Sequence, residues 1–469
     1  MKDYNLRTST EGKSWHHLHR FGYRGPTGQT PIASRIVLSL VIAIVLGTIV
    51  LMLPGMAANG RLTFWEASFT ATSALTVTGL SIITPATDLT LLGKIVLIIL
   101  IQIGGVGFMY VAIISLMLLG RQINVADRMR VTHSIGLESS EEILGLLKKV
   151  LFGILIIEGI GAVLLALNWM RFMPATQAVG YAVFHSISAF CNAGFDLFTG
   201  LPDSEGIPTD DFSLLTMGGL IFIGGLGIPV LSDFLTHKLR FRFSLHTRLT
   251  LYMVFTLTII SWIGIFISEA VQPGVLSEMP LDQQLVRSLF QSVSNRTAGF
   301  AGLPDFNALA PATILLIVSM MFIGCAPASM GGGITTGTLA VLLVALRSYV
   351  KGLPHARIHG RRIGKETVRR AGAVLTVAII LLAISMWMIM ITNPHLTFDE
   401  VFFEVVSAFA TCGLSLGATN ELNGFGRLII MMMMFWGRLG TLTIVIALLQ
   451  RSDPHADLVQ YPEAQVLIG

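Results

Sequence analysis

The sequence predicts an all-α integral membrane protein in which eight spanning helices form four pseudo-repeats around one central pore. The first observation is composition: of 469 residues, 53% are hydrophobic and 12% are charged, and the mean hydropathy is +0.74. Soluble domains carry about 25% charged residues. The second observation is a spacing, F-x3-S-x5-G, that recurs between long apolar blocks. Together they indicate a repeated membrane unit.

Eight apolar stretches approach the roughly 20 residues that a helix needs to cross a bilayer. They lie near residues 36–53, 91–119, 146–168, 213–235, 249–270, 310–346, 371–392 and 425–449. The sixth is too long for one helix, and the sequence CAPASMGGGITTG at 325–337 interrupts it. The first follows a long polar and basic tail, so it is predicted to be a retained helix and not a signal peptide.

Basic residues predict the orientation, because cytoplasmic loops carry an excess of Lys and Arg. They concentrate in the N-terminal tail and in the connections after the second, fourth and sixth spans, whereas the opposite connections are acidic. Both termini are therefore predicted to be cytoplasmic, in a multi-pass protein of the cell (inner) membrane. The basic connection 347–370 is expected to contact a cytosolic partner or anionic membrane lipids.

A short segment rich in Ser and Thr lies between each odd span and the next even span. Three copies share the spacing: Phe69, Ser73 and Gly79; Phe184, Ser188 and Gly194; Phe403, Ser407 and Gly413. The third copy has Gly299 but lacks the serine, although Ser292 and Ser294 flank the position. The four glycines are 115, 105 and 114 residues apart. The chain is predicted to be four copies of a helix, a half-helix with its loop, and a second helix.

These copies divide the chain into six regions. They are an N-terminal cytoplasmic tail (1–34), pore repeats at 35–120 and 145–236, a third repeat with the interrupted span (247–347), a fourth repeat (368–450) and a C-terminal cytoplasmic tail (451–469). Each even span contains a cluster of small residues downstream of the repeat glycine, and the last of these clusters reads WGRLG. Arg438 stands there where the other copies have Gly105, Gly225 and Cys325, and so breaks a pattern that permits close helix approach.

Each loop is a candidate quarter of an ion-selectivity filter. Irregular backbone at membrane depth is tolerated where it is buried in protein or lines water, and a ring of backbone carbonyls can replace the hydration shell of a cation. Glycine supplies the backbone angles that other residues avoid. The candidate filter residues are Thr76, Val77, Thr78, Gly79, Cys191, Asn192, Ala193, Gly194, Arg296, Thr297, Ala298, Gly299, Ala410, Thr411, Cys412 and Gly413. Since no loop carries an acidic residue at the position of its glycine, coordination by backbone oxygen is expected to suit an alkali cation better than a divalent one.

The four loops, the GGGITT segment, the WGRLG span and the terminal YPEAQVLIG resemble the Trk/Ktr/HKT superfamily of potassium transporters, and most of all its Ktr-type membrane subunit. The resemblance implies potassium as the transported ion and sodium as an activating or co-transported ion. It also implies a homodimer with one pore per subunit and a cytosolic ring of Ktr-type regulatory subunits. Nucleotide (ATP or ADP) is expected only on that partner. A serine at the first filter glycine is associated with sodium permeation in the superfamily, so four glycines favour potassium.

The resemblance also supplies a candidate gate. Segment 325–337 resembles the family's intramembrane loop, and Arg438 resembles its pore arginine. The candidate gate residues are Arg438, Ser329, Gly331, Gly332, Gly333, Thr335 and Thr336. A buried cation opposes the passage of potassium, and donation from Arg438 to carbonyls or hydroxyls of the loop would hold the loop closed.

Several alternatives stay open on sequence alone. One is a sodium or ammonium permease of the same fold. An enzyme would need a clustered nucleophile and base or metal ligands, which are not evident, and GGGITTGT lacks the lysine of a phosphate-binding loop; neither enzymatic activity nor nucleic-acid binding is predicted. Glu158 lies within a span, where it is either functional or hydrogen-bonded to a neighbouring helix. His185 is interpreted as a packed polar residue.

Overall fold

The computed structural model describes residues 32–107, 140–202, 206–236, 243–271, 274–358 and 360–440. Within these ranges the chain is almost entirely helical, with one two-stranded antiparallel ribbon. The predicted N-terminal tail, most of the connection after the second predicted span and the predicted C-terminal tail with YPEAQVLIG lie outside the described residues.

The helices of the first two predicted repeats follow one plan. The first contains α1 (Ile32–Leu51), α2 (Phe64–Thr76), α3 (Pro85–Asp88) and α4 (Leu91–Gln102), which continues as a π-helical segment (Ile103–Gly107). The second contains α5 (Ser140–Trp169), α6 (Ala175–Phe190), α7 (Asp211–Gly225) and α8 (Ile228–Thr236). In both, a half-helix, α2 or α6, lies between two longer apolar stretches of chain.

The last two predicted repeats follow the same plan. The third contains α9 (Leu245–Phe266) with a π-helical extension (Ile267–Val271), α10 (Leu281–Ser294), a 3-10 turn (Phe306–Ala308), α11 (Pro311–Ile323) and α12 (Thr336–Val350). The ribbon β1 (Arg357–Ile358) and β2 (Arg361–Arg362) follows, with Arg357 opposite Arg362. The fourth contains α13 (Lys365–Thr392), α14 (Phe398–Ala410), α15 (Ala418–Glu421) and α16 (Gly424–Leu439).

Two of the half-helices begin with the same local motif. In α2 the side chains of Thr63 and Glu66 each accept the backbone N–H of the other, and in α14 Thr397 and Glu400 do the same. This capping box satisfies N–H groups that have no partner within the first turn of a helix. The other two half-helices, α6 and α10, begin directly after a proline. Each half-helix therefore has a start that its own sequence fixes.

The half-helices lie at the centre of the molecule and the long helices surround them. In α2 and α14 most side chains are buried. Phe69 in α2, Phe190 in α6 and Phe409 in α14 have at most 1% of their surface exposed. The outer helices instead expose large apolar side chains, among them Ile160 and Trp387. Apolar side chains on an outer surface fit contact with lipid. Polar, hydroxyl-rich chain is thus enclosed by an apolar shell.

Three helices within the described ranges are long and apolar enough to cross a membrane: Lys148–Trp169, Leu245–Val271 and Lys365–Thr392. Four shorter apolar helices accompany them: Ile36–Leu51, Leu91–Gly107, Pro311–Ile323 and Thr336–Val350. Two of the eight predicted spans, 91–119 and 425–449, run into residues outside the described ranges. The number of eight stays a prediction.

The predicted span 213–235 is not one straight helix. It forms α7 and α8, which meet at an angle of 99°. The break contains Gly227, whose φ of +85° is one that side chains disfavour. Residues of the α11–α12 connection replace the lost helical partners, since Ala326 donates its N–H to Gly225 and Ile228 donates to Ala328. The hydropathy window did not reveal the bend because these partners lie about one hundred residues away.

Candidate functional site

Four glycines form a closed ring at the ends of the half-helices. A Cβ atom added to any one of them would meet a backbone carbonyl oxygen of another loop. These close approaches run from Gly79 to Ala193, from Gly194 to Ala298, from Gly299 to Cys412 and from Gly413 to Thr78. The order around the ring is the order along the chain, and the fourth loop closes on the first. We call segments 77–79, 191–194, 295–299 and 411–413 the glycine loops.

The glycine loops share an unusual backbone conformation. Their glycines have φ of +93°, +69°, +76° and +93°, and the residue two positions earlier is also left-handed in every loop. Those residues are Val77, Asn192, Thr297 and Thr411, with φ between +51° and +103°. Left-handed residues other than glycine cost of the order of 1–3 kcal/mol and persist where the surrounding structure enforces them. A strain repeated four times at one register indicates a shared structural requirement.

Each glycine loop is bonded to its half-helix in the same way. The residue before the glycine donates its N–H to the carbonyl of a serine in the half-helix. The pairs are Thr78 with Ser73 (2.8 Å), Ala193 with Ser188 (2.7 Å), Ala298 with Ser294 (2.9 Å) and Cys412 with Ser407 (2.8 Å). In the third copy, which has no serine at the expected spacing from its glycine, Ser294 therefore fills this role. That copy is one residue shorter between serine and glycine, which explains the departure in the sequence.

The serine hydroxyls act in two different ways. Those of Ser73 and Ser407 accept the N–H of Gly79 and Gly413 at 3.0 and 3.1 Å. Those of Ser188 and Ser294 instead donate to carbonyls just beyond their glycines, at 2.9 and 2.7 Å. The first and fourth loops thus share one arrangement, and the second and third share another.

The glycines are the half-exposed points of loops that are otherwise buried. Two adjoining cavities of about 660 and 510 Å³ open over them. Gly194 and Asp196 line both cavities; Gly299 lines the larger, and Gly79 and Gly413 line the smaller. All four glycines therefore line one pair of adjoining cavities.

The remaining predicted filter residues are placed close to this ring. The hydroxyls of Thr76 and Thr78 lie 2.7 Å apart. Cys191 and Cys412 are free thiols that are fully buried. The side chain of Arg296 has a contact that the sequence did not reveal, since Nη2 donates to the carbonyl of Gly324 at 3.2 Å. Arg296 therefore joins the third glycine loop to the break between α11 and α12.

That break, residues 324–335, overlaps the segment 325–337 that the sequence predicts as an intramembrane loop, and we refer to it as the intramembrane loop. It contacts the third and fourth glycine loops. The thiol of Cys325 donates to the carbonyl of Arg296 at 2.7 Å, and the N–H of Gly332 donates to the hydroxyl of Thr411 at 2.9 Å. A Cβ on Gly331 would collide with the Thr297 side chain. The glycine run is therefore small for a reason of packing, in addition to the flexibility expected from its sequence.

The other predicted gate residues have distinct surroundings. Thr335 caps α12, because its hydroxyl accepts the N–H of Thr338. Thr336 is buried and donates its backbone N–H to Cys325 at 2.9 Å. The hydroxyl of Ser329 is buried and has no hydrogen-bond partner among the described residues. Gly333 has a φ of +76° and lies against the backbone of Ala410.

Arg438 lies in the last turn of α16 with 8% of its surface exposed. Its Nη1 donates to the carbonyl of Met330 in the intramembrane loop. Its Nη2 donates to the carbonyls of Gly104 and Gly105 in the π-helical segment after α4, the second at 3.1 Å. The guanidinium thus bridges the intramembrane loop and the π-helical segment after α4.

Glu158 has a partner that its sequence position could not reveal. The amide of Gln102 donates to both carboxyl oxygens, at 3.1 and 3.3 Å. Gln102 is the last residue of α4 and directly precedes the π-helical segment that receives Arg438. Glu158 is thus hydrogen-bonded to a neighbouring helix, which is one of the two interpretations that its sequence position allowed. This contact lies next to the segment that Arg438 contacts.

The amino-acid sequence of this chain is similar to those of known transport proteins. Residues 29–456 match the family described as TrkH, cation transport protein. The Ktr system potassium uptake protein B of Vibrio alginolyticus is 35% identical over 438 residues, which cover 93% of this chain and 94% of that protein. The Bacillus subtilis protein of the same name is 35% identical over 429 residues, covering 91% and 94%.

Two further relationships extend the comparison. The potassium/sodium uptake protein NtpJ of Enterococcus hirae is 32% identical over 434 residues, covering 91% of this chain and 95% of that protein. The crystal structure of the potassium transporter TrkH from Vibrio parahaemolyticus has the same fold, with a TM-score of 0.72 at 17% identity over 91% of this chain and 86% of that one. The expected resemblance to Trk and Ktr proteins is confirmed, and the chain belongs to the TrkH family of cation transport proteins.

Proposed function

We propose that the chain carries potassium ions into the cell through the ring of glycine loops, which acts as a selectivity filter. The single observation that carries the proposal is the closed ring of four left-handed glycines, each in contact with a carbonyl of another loop. Backbone carbonyls that replace the hydration shell select among alkali cations. Potassium is the ion in the names of the related Ktr proteins, and glycine at all four positions favours it.

The proposed pathway has four quasi-equivalent pore repeats, eight spanning helices and two cytoplasmic termini in the cell membrane. Residues 324–335 and Arg438 form its gate. Donation from Arg438 to Met330 supports this role, because it fixes the intramembrane loop and places a positive charge beside the pathway, where it opposes cations. Movement of the loop and of Arg438 together then opens the pathway.

Control of the gate is proposed to come from outside this chain. The names of the Ktr relatives describe them as parts of a system, which supports a cytosolic nucleotide-binding regulatory ring as partner. The transporter is further proposed to be a homodimer and to depend on sodium, either for activation or for cotransport.

Potassium uptake in a host without its own potassium systems tests this proposal. Wild type is compared with Gly79→Ser, with and without sodium, and with a matching cytosolic ring subunit coexpressed. Gly60→Ser is the control, since Gly60 has a similar φ of +89° but nothing within 4 Å of an added Cβ. We expect rescue by wild type and Gly60→Ser, and loss of rescue or a shift toward sodium in Gly79→Ser. Absence of rescue by wild type present at the membrane contradicts the proposal.

A sodium or ammonium permease is the second candidate. The name of the Enterococcus hirae relative includes both potassium and sodium, which favours sodium as the alternative cargo. Competition separates the candidates: excess sodium or ammonium that abolishes rubidium uptake at low potassium favours the alternative, whereas continued uptake favours potassium.

A further inference from the structure

Each half-helix carries a buried polar side chain at one equivalent position. Counted from the serine whose carbonyl receives the loop N–H, it is the residue three positions earlier. The four residues are Thr70, His185, Gln291 and Glu404, and each has at most 2% of its surface exposed. Buried polar groups need hydrogen-bond partners, and these partners show what the position does.

In the second repeat the partner lies directly beyond the glycine. His185 Nε2 is 2.9 Å from the Oδ1 atom of Asp196, which is two residues after Gly194. Asp196 in turn accepts the N–H groups of Phe198 at 2.9 Å and Thr199 at 2.7 Å. His185 is itself held, because its Nδ1 is 2.8 Å from the carbonyl of Tyr181. The chain that leaves the glycine loop is therefore fastened to the half-helix.

The third and fourth repeats use different atoms for the same connection. Gln291 accepts the N–H of Gly302 at 2.8 Å, three residues after Gly299. Glu404 accepts the hydroxyl of Ser415 at 2.9 Å, two residues after Gly413. Ser415 also accepts the N–H of Gly417, as Asp196 accepts that of Phe198. Three half-helices thus hold the outgoing chain through three chemically different side chains.

The first repeat lacks this connection. The hydroxyl of Thr70 is buried and has no hydrogen-bond partner among the described residues. Ser81, two residues after Gly79, directs its hydroxyl to the carbonyl of Ile83 at 2.6 Å. The threonine side chain is also shorter than those of histidine, glutamine and glutamate. The outgoing chain of the first loop is therefore not fastened to its half-helix at this position.

We propose that His185, Gln291 and Glu404 are positioning residues for ion selection, each holding the outer end of its glycine loop, and that the first loop is the compliant quarter of the ring. This inference rests on the proposed function of the ring as a filter. The serine bonds hold each loop on the side of its half-helix, and the three positioning residues hold the chain beyond the glycine. With both ends held, the carbonyls keep a spacing that suits one ion size.

Loss of one positioning residue has a specific consequence. A coordinating group is effective only when held within about 0.5 Å of its productive position. A loop released at its outer end contracts around a smaller ion more easily, so sodium gains relative to potassium. The maximal rate of potassium passage depends on the gate and changes less. The expected signature is a change in ion preference at a similar maximal rate.

The test compares His185→Leu, Gln291→Leu and Glu404→Leu with Thr70→Val, the matched variant at the equivalent position of the first repeat. Uptake of rubidium and of radioactive sodium is measured for each in the same cells, normalised to the protein present in the membrane. We expect the three variants to lower the rubidium-to-sodium ratio at least about threefold, and Thr70→Val to keep the wild-type ratio. Glu404→Gln retains an acceptor for Ser415 and is expected to restore the ratio.

The outcomes separate this inference from the proposed function. Potassium uptake by wild type in the same assay tests the function itself. If wild type transports potassium but the three variants keep its ion ratio, or if Thr70→Val shifts the ratio equally, the positioning role is wrong. Should a leucine variant fail to reach the membrane, Ser415→Ala removes the partner of Glu404 at a half-buried position, and an unchanged ratio in that variant overturns the proposal as well.

Discussion

The backbone N–H of Gly332 donates to the hydroxyl of Thr411 at 2.9 Å, although 79 residues separate them in the chain. This bond joins the intramembrane loop directly to the fourth glycine loop, two residues before Gly413. Together with the thiol of Cys325 on the carbonyl of Arg296, it fastens the loop to two of the four quarters of the ring. Displacement of the intramembrane loop therefore has to break contacts with the ring itself.

Thr411→Val is expected to raise potassium uptake. Valine has the shape of threonine but cannot accept the Gly332 N–H, and a buried N–H without a partner costs about 1–3 kcal/mol. A destabilisation of that size favours displacement of the intramembrane loop roughly 5- to 150-fold. Initial rates of rubidium uptake measure the effect. Thr411→Ser retains an acceptor and should stay close to wild type; equal rates in both variants would show that this bond does not hold the loop.

Arg438→Ala is expected to raise potassium flux, because it removes both the bridge to Met330 and a positive charge beside the pathway. Arg427→Ala is the control on the same helix, since Arg427 donates to the carbonyl of Asn420 at the other end of α16. Flux is measured with the proposed regulatory ring in each of two nucleotide states, bound to ATP and bound to ADP. An Arg438→Ala flux equal to wild type in both states would remove Arg438 from the gate.

Gly413→Ala is expected to reduce uptake strongly, whereas Gly417→Ala is expected to change it less than about twofold. Both glycines have left-handed backbones, with φ of +93° and +98°. Only Gly413 would press a methyl group against the carbonyl of Thr78, while Gly417 has nothing within 4 Å. Overpacking costs about 1–3 kcal/mol, or roughly 5- to 150-fold. Equal losses in the two variants would trace the effect to backbone strain and not to the ring.

Glu158→Leu is expected to lower the thermal stability of the purified protein, and Glu158→Gln to preserve most of it. Leucine leaves the amide of Gln102 without its acceptor inside the protein, at a cost of about 1–3 kcal/mol. Unfolding followed in detergent by intrinsic fluorescence measures the difference. If both variants unfold at the wild-type temperature, the contact between Glu158 and Gln102 contributes little.

Asp196→Asn is expected to lower stability at neutral pH by an amount that shrinks in acid. Burial raises the pKa of Asp196, but the hydrogen bond and charge of His185 and hydrogen bonds from Thr199 and Phe198 outweigh it, so the pKa lies below its ordinary value. A carboxyl with a lowered pKa stabilises the fold above its unfolded value of about 3.9 and loses this effect as the pH falls through the folded value. Unfolding temperatures at pH 7, 5 and 3.5 check this, and a constant difference would contradict it.

Sequence reasoning located the ring because its signal is local and repeated. Phe, Ser and Gly at fixed spacing identified Gly79, Gly194 and Gly413, and the third copy was found through Gly299 alone. The serine of the third copy was not identified because the segment between serine and glycine is one residue shorter there. That difference shifts the linear spacing, but the N–H of Ala298 still donates to the carbonyl of Ser294. The half-helices were predictable for the same reason.

Contacts between distant segments were not predictable from one sequence. The bend at Gly227 depends on the intramembrane loop, and the partner of Glu158 comes from another helix. Arg296 was assigned to the ring for its backbone, while its side chain reaches Gly324. One sequence signal was overlooked: the residue three positions before each loop serine is polar. Because the serine of the third copy had not been identified, Gln291 was not aligned with His185 and Glu404.

The ring closes within one polypeptide, in chain order, from the first loop to the fourth and back. A pore built from four identical subunits repeats every amino-acid replacement in all quarters at once. Here one codon alters one quarter and leaves three untouched, so a replacement such as threonine at position 70 can arise without its counterparts. With the ring as the proposed filter, selection can adjust the preference for ions in small steps, one quarter at a time, and mutagenesis can do the same.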